Sequence, residues 1–268
     1  AIIAILFFFP FVFIGGLPFQ IIIYIIGTLG LIEILRMRKI TSYWVPTGLS
    51  LLLLWSLLIP KDILLMEHRF ELFMLFILLL LAYTVLLKNK FTFEDCGFLI
   101  LSAIYVGLGF YYFMETREAG LVYIFYAILV ILSTDTGAYF FGRAFGKRKL
   151  WPEISPNKTI EGAVGGIFLA AVIAIVFNYF FPVHSSIIVV LFVTIAASIF
   201  AQIGDLVESA IKRYYNVKDS GKLLPGHGGI LDRFDSWLFV FPMLHVIQFI
   251  IPRCAGTSWM LENRAPHV

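Results

Sequence analysis

Long apolar runs, separated by short polar segments, cover most of this chain. The runs show no strict alternation of apolar and polar positions, and most approach the length of about 20 residues that a helix needs to cross a bilayer. Helices are favoured over a membrane β-barrel, although both architectures satisfy the backbone hydrogen bonds in lipid. The pattern predicts nine spans, over residues 2–14, 17–35, 44–59, 72–87, 97–113, 121–141, 162–181, 187–212 and 234–251. We therefore expect an all-α, polytopic integral membrane protein.

Composition supports this fold class and limits the domain organisation. The chain has 268 residues, of which 60% are hydrophobic and only 14% are charged, far from the composition of soluble proteins. We expect a single transmembrane domain over residues 1–255, with amino-terminal spans in 1–120 and the spans and loops that carry the candidate functional residues in 121–255. A polar tail without ordered structure is expected over residues 256–268. Cys96 and Cys254 fit neither a disulfide nor a metal pattern, and we interpret both as packing residues.

The placement of basic residues predicts the orientation in the membrane. Lys and Arg are concentrated in loops that fall on one side of the predicted spans, at residues 36–43, 88–95, 142–161 and 213–233. The positive-inside rule places these loops in the cytoplasm. We therefore expect a multi-pass protein of the cell membrane with a polar site that faces the cytoplasm.

Four carboxylates in or beside the apolar spans are candidates for function, because ionisable groups are costly in lipid. Asp135 lies in the sixth span and Asp205 in the eighth, while Asp232 and Asp235 open the ninth. Three alternatives stay open: the sixth helix ends early, Asp205 pairs with Lys212, or the helix dipole accounts for the last two aspartates. We expect all four carboxylates to meet at one membrane face, where they would hold a hard cation together with phosphates.

The loop between the eighth and ninth spans is basic and rich in glycine. Such a loop suits a polyphosphate, because lysines supply charge and glycines let backbone amides approach an anion. The glycine spacing is not that of a nucleotide-binding P-loop. Around His227 the segment carries Lys212, Arg213, Lys218, Lys222 and Arg233, with glycines at 221, 226, 228 and 229.

A second polar block, SPNKTIEG, covers residues 155–162. Ser155 followed by Pro156 predicts a helix start, which would place Lys158 and Glu161 at the mouth of the seventh span. That span carries glycines that would allow close packing against a neighbouring helix, at positions 162, 165 and 166. The basic residues just before the block are interpreted as contacts to anionic lipid headgroups, namely Arg143, Lys147, Arg148 and Lys149.

The segment over residues 209–235 resembles the signature of the phosphatidate cytidylyltransferases, the membrane enzymes that make CDP-diacylglycerol. The resemblance is carried by Ser209, Lys212, Arg213, Lys218, Asp219, Pro225, His227, Gly228, Gly229, Asp232, Arg233 and Asp235. Upstream, Gly204 with Asp205, the SPNKTIEG block and residues 135–143 also resemble motifs of that family. The likeness covers roughly the carboxyl-terminal half, and Asn157 departs from it, because many members carry a basic residue there.

The resemblance implies a nucleotidyltransferase that transfers cytidylyl from CTP to phosphatidic acid and releases pyrophosphate. It implies a Mg²⁺-dependent direct displacement at the α-phosphate, with a second cation left open. Positioning and charge neutralisation would supply most of the catalysis. The expected partners are the two substrates and the lipid bilayer, without nucleic acid, and homodimerisation stays open.

The resemblance also assigns roles to residues of this sequence. Asp205 and Asp232 match the metal positions of the family. The catalytic set is Asp205, Lys212, Asp232 and Asp235. Substrate contacts are expected from Asp135, Lys158, Glu161, Ser209, Arg213, Lys218, Asp219, His227 and Arg233.

Other classes of protein share some of these features. An ion-coupled transporter also places aspartates in glycine-broken helices, but here the charges cluster at one face and no inverted repeat is visible. A lipid-alcohol kinase is a nearer rival, whereas the D-G-x-x-A-R motif of the CDP-alcohol phosphotransferases is absent. A scaffold would not need carboxylates in lipid. Release of pyrophosphate from CTP would separate these alternatives.

Overall fold

The computed structural model describes residues 9–60, 68–221 and 228–250, and helices dominate it. The helices are α1 (Gly16–Met37), α2 (Trp44–Leu57), α3 (Arg69–Leu86), α4 (Phe93–Ala119), α5 (Leu121–Phe145), α6 (Ile160–Phe180), α7 (Ile187–Tyr214), α8 (Leu231–Phe234) and α9 (Trp237–Val246). A 3-10 turn, Ile40–Ser42, follows α1, and two short strands, β1 (Lys149–Trp151) and β2 (Ser155–Thr159), lie between α5 and α6.

Within the described ranges, six helices are long and apolar enough to cross a membrane, namely α1 and α3 to α7, while α2 and α9 are shorter apolar helices. The predicted all-α polytopic fold is therefore confirmed. Residues 9–14 are also helical, but the rest of the first predicted span lies outside the described residues, so the count of nine stays a prediction. Cys96 is buried and free, as expected for a packing residue, whereas Cys254 and the predicted tail lie outside the described residues.

The predicted helix start at Ser155 is wrong, because β2 begins there. This strand pairs with β1 in an antiparallel hairpin, with Lys149 opposite Thr159. Pairing with β1 satisfies backbone groups of the residues that follow Ser155, so no helix starts there. The cap therefore forms at Thr159, whose hydroxyl accepts a hydrogen bond from the backbone N–H of Gly162 at 3.1 Å.

Helices α5 and α6 pack backbone to backbone. Helix α6 corresponds to the seventh predicted span, so the close packing predicted from the glycines of that span is confirmed. A Cβ atom on Gly166 would lie 2.6 Å from the carbonyl oxygen of Thr134, and one on Gly137 would lie 2.9 Å from that of Gly165. Small residues permit this approach, as they do at many helix contacts in membranes. The close contact fixes the end of α5 against the hairpin and the start of α6.

Side-chain hydroxyls connect α5 to α7 inside the apolar bundle. The Tyr126 hydroxyl lies 2.8 Å from the Thr194 hydroxyl, and the Thr134 hydroxyl donates to Ser198 at 2.8 Å. Polar contacts of this kind contribute roughly 1 kcal/mol each in membrane proteins. Helices α5, α6 and α7 therefore form one packed unit, and the candidate site lies at one end of it.

Candidate active site

Asp135 lies inside α5, because that helix continues without a break to Phe145. The alternative in which the sixth helix ends before Asp135 is therefore wrong. The Asp135 side chain is exposed, and it lines a cavity of about 420 Å³. The lining consists of Asp135, Ala138, Tyr139, Gly142, Arg143, Leu150, Asn157, Lys158, Thr159, Gly162, Ala163, Gln202 and Asp205. The cavity thus combines two carboxylates with two cations where α5, the hairpin, α6 and α7 meet.

An ion pair joins Lys158 of β2 to Asp205 of α7 at this cavity. The Ser209 hydroxyl donates to the other carboxylate oxygen of Asp205 at 3.4 Å. The two charged side chains are 28% and 33% exposed, so water screens the pair and a bound anion could compete for Lys158. The alternative in which Asp205 pairs with Lys212 is wrong, because the hairpin brings Lys158 to Asp205, while Lys212 pairs with Glu208 and Asp232.

Asp235 connects this cavity to the start of α9. Its carboxylate interacts electrostatically with Asp205 and Asp135, so the structure brings together three of the four predicted aspartates. The approach depends on Gly204, where a Cβ atom would lie 2.7 Å from the backbone oxygen of Asp235. Neighbouring carboxylates disfavour one another's ionised form, and an opposite charge offsets this cost. Among the described residues, no three His, Cys, Asp or Glu side chains could hold a metal ion by themselves.

Lys212 lies at the centre of a second charged cluster. Its ammonium group donates to Glu208 at 2.6 Å and to Asp232 at 2.7 Å. Glu208 is almost fully buried, with 1% of its side chain exposed, and its Oε1 atom has no hydrogen-bond partner among the residues that the structure describes. Burying a carboxylate in this way is costly unless a cation compensates it. Lys212 therefore neutralises two acidic groups that come from different elements.

Asp232 is held by hydrogen bonds from three sides. Its Oδ2 atom accepts from the backbone N–H groups of Ser220 and Gly229 at 2.9 and 2.8 Å and from the Ser220 hydroxyl at 2.8 Å. Oδ1 accepts from Lys212. Burial alone would raise the pKa of the Asp232 carboxyl, but Lys212 and these donors lower it to about 2. Asp232 is therefore ionised and fixed in one orientation.

The glycines of this loop pack against carboxylates of the protein. A Cβ atom on Gly228, which has a φ of 81°, would lie 2.5 Å from Asp232 Oδ2. One on Gly221 would lie 2.4 Å from Oε1 of Glu33, and one on Gly229 would lie 2.4 Å from Oε2 of the same residue. These three glycines thus let the backbone approach protein anions, whereas Gly226 lies outside the described residues.

Arg213 and Glu161 hold the hairpin in place. The guanidinium Nε of Arg213 donates to the carbonyl of Ile154, in the hairpin turn, at 3.3 Å. The Glu161 carboxylate accepts from the backbone N–H groups of Lys147 and Arg148 at 3.0 and 3.2 Å. Both residues therefore have structural contacts with the hairpin and the residues that lead into it, and their predicted roles in substrate binding stay predictions.

The remaining predicted substrate contacts lie at the surface or outside the described residues. Lys218, Asp219 and Arg233 are exposed. His227 and Lys222 lie outside the described residues, and the role of His227 as a substrate contact stays a prediction.

The sequence pattern did not identify three buried residues of these clusters as candidates. Glu208 and Ser220 lie beside or within the predicted motif, but neither stood out by spacing. Glu33 lies in α1 and is 4% exposed, and its carboxylate accepts hydrogen bonds from the loop that carries Asp232. The cost of an ionisable group in an apolar span, which identified Asp135, would have identified Glu33 as well.

The fold and these clusters define a class of protein: a polytopic membrane protein with carboxylates and cationic side chains gathered at one end of its helices. Such an arrangement is suited to an enzyme that acts on phosphate groups at a membrane surface. Residues 1–251 match the cytidylyltransferase family, and the chain belongs to that family. The predicted resemblance is thereby confirmed, and so, at the level of the family, is the predicted enzyme class.

Several named relatives cover most of the chain. It is 53% identical over 243 residues to the phosphatidate cytidylyltransferase of Bacillus subtilis, an alignment that covers 88% of this chain and 90% of the relative. It is 48% identical over 251 residues to the enzyme of that name from Staphylococcus epidermidis and 46% identical to that from Staphylococcus aureus, each covering 92% of this chain and 96% of the relative.

Proposed function

We propose that this protein transfers a cytidylyl group from CTP to phosphatidic acid, giving CDP-diacylglycerol and pyrophosphate. The observation that carries the proposal is the cavity in which Asp135 and Asp205 face Lys158 and Arg143, in a chain that belongs to the cytidylyltransferase family. The names of the relatives support the same reaction.

The reaction is a direct displacement at phosphorus. A phosphate oxygen of the lipid attacks the α-phosphorus of CTP, and the bond from that phosphorus to the oxygen bridging the α- and β-phosphates breaks. Pyrophosphate leaves with the electron pair. The attacking oxygen is already ionised near neutral pH, so a general base is not needed. Because both reactants are anions, the enzyme contributes mainly by positioning them and by neutralising charge.

Cations of the cavity and the basic loop would neutralise the phosphates. Lys158 is suited to this role, because its pair with Asp205 is accessible to water and phosphate can replace it. Lys212 would contact the phosphates that leave as pyrophosphate, and Arg213 and Lys218 would contact them from positions nearer the solvent. We retain His227 as a substrate contact.

Asp205 and Asp232 are the proposed ligands of Mg²⁺, an ion that prefers oxygen ligands and is often bound by one or two carboxylates plus substrate phosphates. The donor chemistry fits, because both groups are carboxylates: Asp205 lines the cavity, and Asp232 belongs to the charged cluster around Lys212, outside the cavity lining. Asp232 Oδ1 would become free for the ion when Lys212 turns towards phosphate. When bound, the ion would supply charge neutralisation on the CTP phosphates.

The site is proposed to face the cytoplasm. The basic hairpin and the loop before α8 lie on the side that the positive-inside rule assigns to the cytoplasm, where CTP is available. One substrate would then arrive from the water and the other from the adjacent lipid leaflet.

The test is release of pyrophosphate by the detergent-purified protein, given CTP, Mg²⁺ and phosphatidic acid. We expect release to require the lipid and to stop when a chelator removes the metal. Asp205→Asn and Asp232→Asn should each lower the rate by about 100-fold or more, because each removes charge stabilisation from the transition state.

The matched control is Glu71→Gln, the same kind of change at an exposed carboxylate in the first turn of α3. This variant should retain the wild-type rate. A loss of only a fewfold for Asp232→Asn would refute the metal assignment, and absence of lipid-dependent release from folded protein would refute the proposed reaction.

A further inference from the structure

Glu33 is an acidic residue buried in an apolar helix far from the motif segment in sequence. Its Oε1 atom accepts from the backbone N–H of Ile230 at 2.9 Å. Its Oε2 atom accepts from the N–H of Leu231 at 2.9 Å and from the Ser220 hydroxyl at 3.0 Å. These donors come from both sides of the loop that carries the proposed metal ligand, so one carboxylate joins the two branches of that loop.

The loop is also pressed tightly onto this carboxylate. Side chains at Gly221 and Gly229 would collide with Glu33, because a Cβ atom on either would lie 2.4 Å from one of its oxygens. Ile230 and Leu231 immediately precede Asp232, so the hydrogen bonds to Glu33 fix the backbone that orients the Asp232 side chain. A shift of the Glu33 carboxylate would therefore move the start of α8.

Ser220 connects the two carboxylates directly. Its single hydroxyl proton has two acceptors within reach, Glu33 Oε2 at 3.0 Å and Asp232 Oδ2 at 2.8 Å. The backbone N–H of Asp232 in turn approaches the Ser220 oxygen at 3.3 Å. The three side chains thus form one buried hydrogen-bonded network in which a change at either end alters the other.

We propose that Glu33 is a positioning residue for catalysis: through Ser220 and the backbone of Ile230 and Leu231, it sets the orientation of Asp232. This inference rests on the proposed role of Asp232 and extends it to the amino-terminal half, which the motif resemblance does not reach. Groups that orient a ligand from behind commonly change activity by about 10- to 100-fold when they are replaced.

The test compares Glu33→Gln and Ser220→Ala with wild type in the purified protein. Glu33→Gln replaces an acceptor oxygen with an amide that faces N–H donors. Ser220→Ala removes only the bridging hydroxyl and leaves the two backbone contacts of Glu33, so it serves if the first variant does not fold. We expect kcat to fall by about 10- to 100-fold for Glu33→Gln and by about 10-fold for Ser220→Ala, with the KM for phosphatidic acid within about twofold of wild type.

A double-mutant cycle separates positioning from simple loss of stability. Because both changes disturb one network, the double variant should lose little more kcat than Glu33→Gln alone. Binding of Mn²⁺ to the protein without substrates can be measured from the paramagnetic resonance signal of the free ion. The affinity for Mn²⁺ should fall in both variants and stay unchanged in Glu71→Gln.

Wild-type kcat in Ser220→Ala, or fully additive losses, would overturn the role of Glu33 while leaving the proposed reaction intact. If the wild-type protein itself shows no turnover, the proposed reaction fails. The Mn²⁺ comparison then still decides whether Glu33 and Ser220 act on Asp232.

Discussion

At the scale of residues, the aspartates of the site have different surroundings. Asp205 lines the cavity and contacts two side chains, those of Lys158 and Ser209. Asp232 is held mainly by backbone and buried groups, and its pKa is lowered to about 2. The sequence could predict that these carboxylates matter, because charges in apolar spans are costly. It could not predict their partners, which depend on how the hairpin folds over α7.

The lowered pKa of Asp232 predicts how stability depends on pH. The pKa of the Asp232 carboxyl is about 2 in the folded protein, against an ordinary value of 3.8, so its ionised form stabilises the fold at pH values above 3.8. That contribution is lost as the pH falls through the folded-state pKa. The Asp232→Asn variant lacks the titrating group, so the wild type should be more stable near neutral pH, and the difference should shrink between about pH 4 and pH 2.

Thermal unfolding of both proteins in detergent, followed by circular dichroism, measures this difference. Comparing the two proteins at each pH cancels the titration of all other groups that they share. A gap in unfolding temperature that stays constant down to about pH 2 would show that Asp232 is not held by the contacts described.

At the scale of elements, the contact between α5 and α6 positions the cavity. The glycines of the seventh span predicted close packing, and the backbone contact near Gly166 and Thr134 confirms it. The hairpin could not be predicted, because Ser155 and Thr159, the first and last residues of its second strand, both belong to residue types that are favoured at helix caps. Pairing with β1 decides between them, and strand pairing is a tertiary effect that local sequence does not encode.

Gly166→Ala tests this contact. The added methyl would lie 2.6 Å from the Thr134 oxygen, so the helices must separate, and we expect a loss of about 1–3 kcal/mol in unfolding free energy. The control is Gly97→Ala in α4, where a Cβ atom would meet nothing within 4 Å. That change should be neutral or slightly stabilising, because alanine favours helix. Equal shifts in the unfolding temperature of the two variants would contradict the packing described.

At the scale of the whole molecule, the charged clusters connect both halves of the chain. The motif segment and the carboxyl-terminal spans could be recognised from the sequence, and membership of the cytidylyltransferase family bears this out. The amino-terminal spans carried no recognisable motif, yet α1 supplies Glu33 to the loop that holds Asp232. That contact links positions far apart in sequence, and only the packed bundle brings them together.

The most direct test of the account uses sealed inside-out membrane vesicles from cells that express this chain, given CTP labelled in its α-phosphate. Vesicles with the Asp205→Asn variant at the same level provide the background. We predict that the α-phosphate label enters the lipid extract above that background, whereas a label in the γ-phosphate stays in the aqueous phase as pyrophosphate. Right-side-out vesicles should transfer the α-phosphate label to lipid only after detergent opens them. Transfer of the γ-label to lipid, or equal transfer by Asp205→Asn, would contradict cytidylyl transfer at this site.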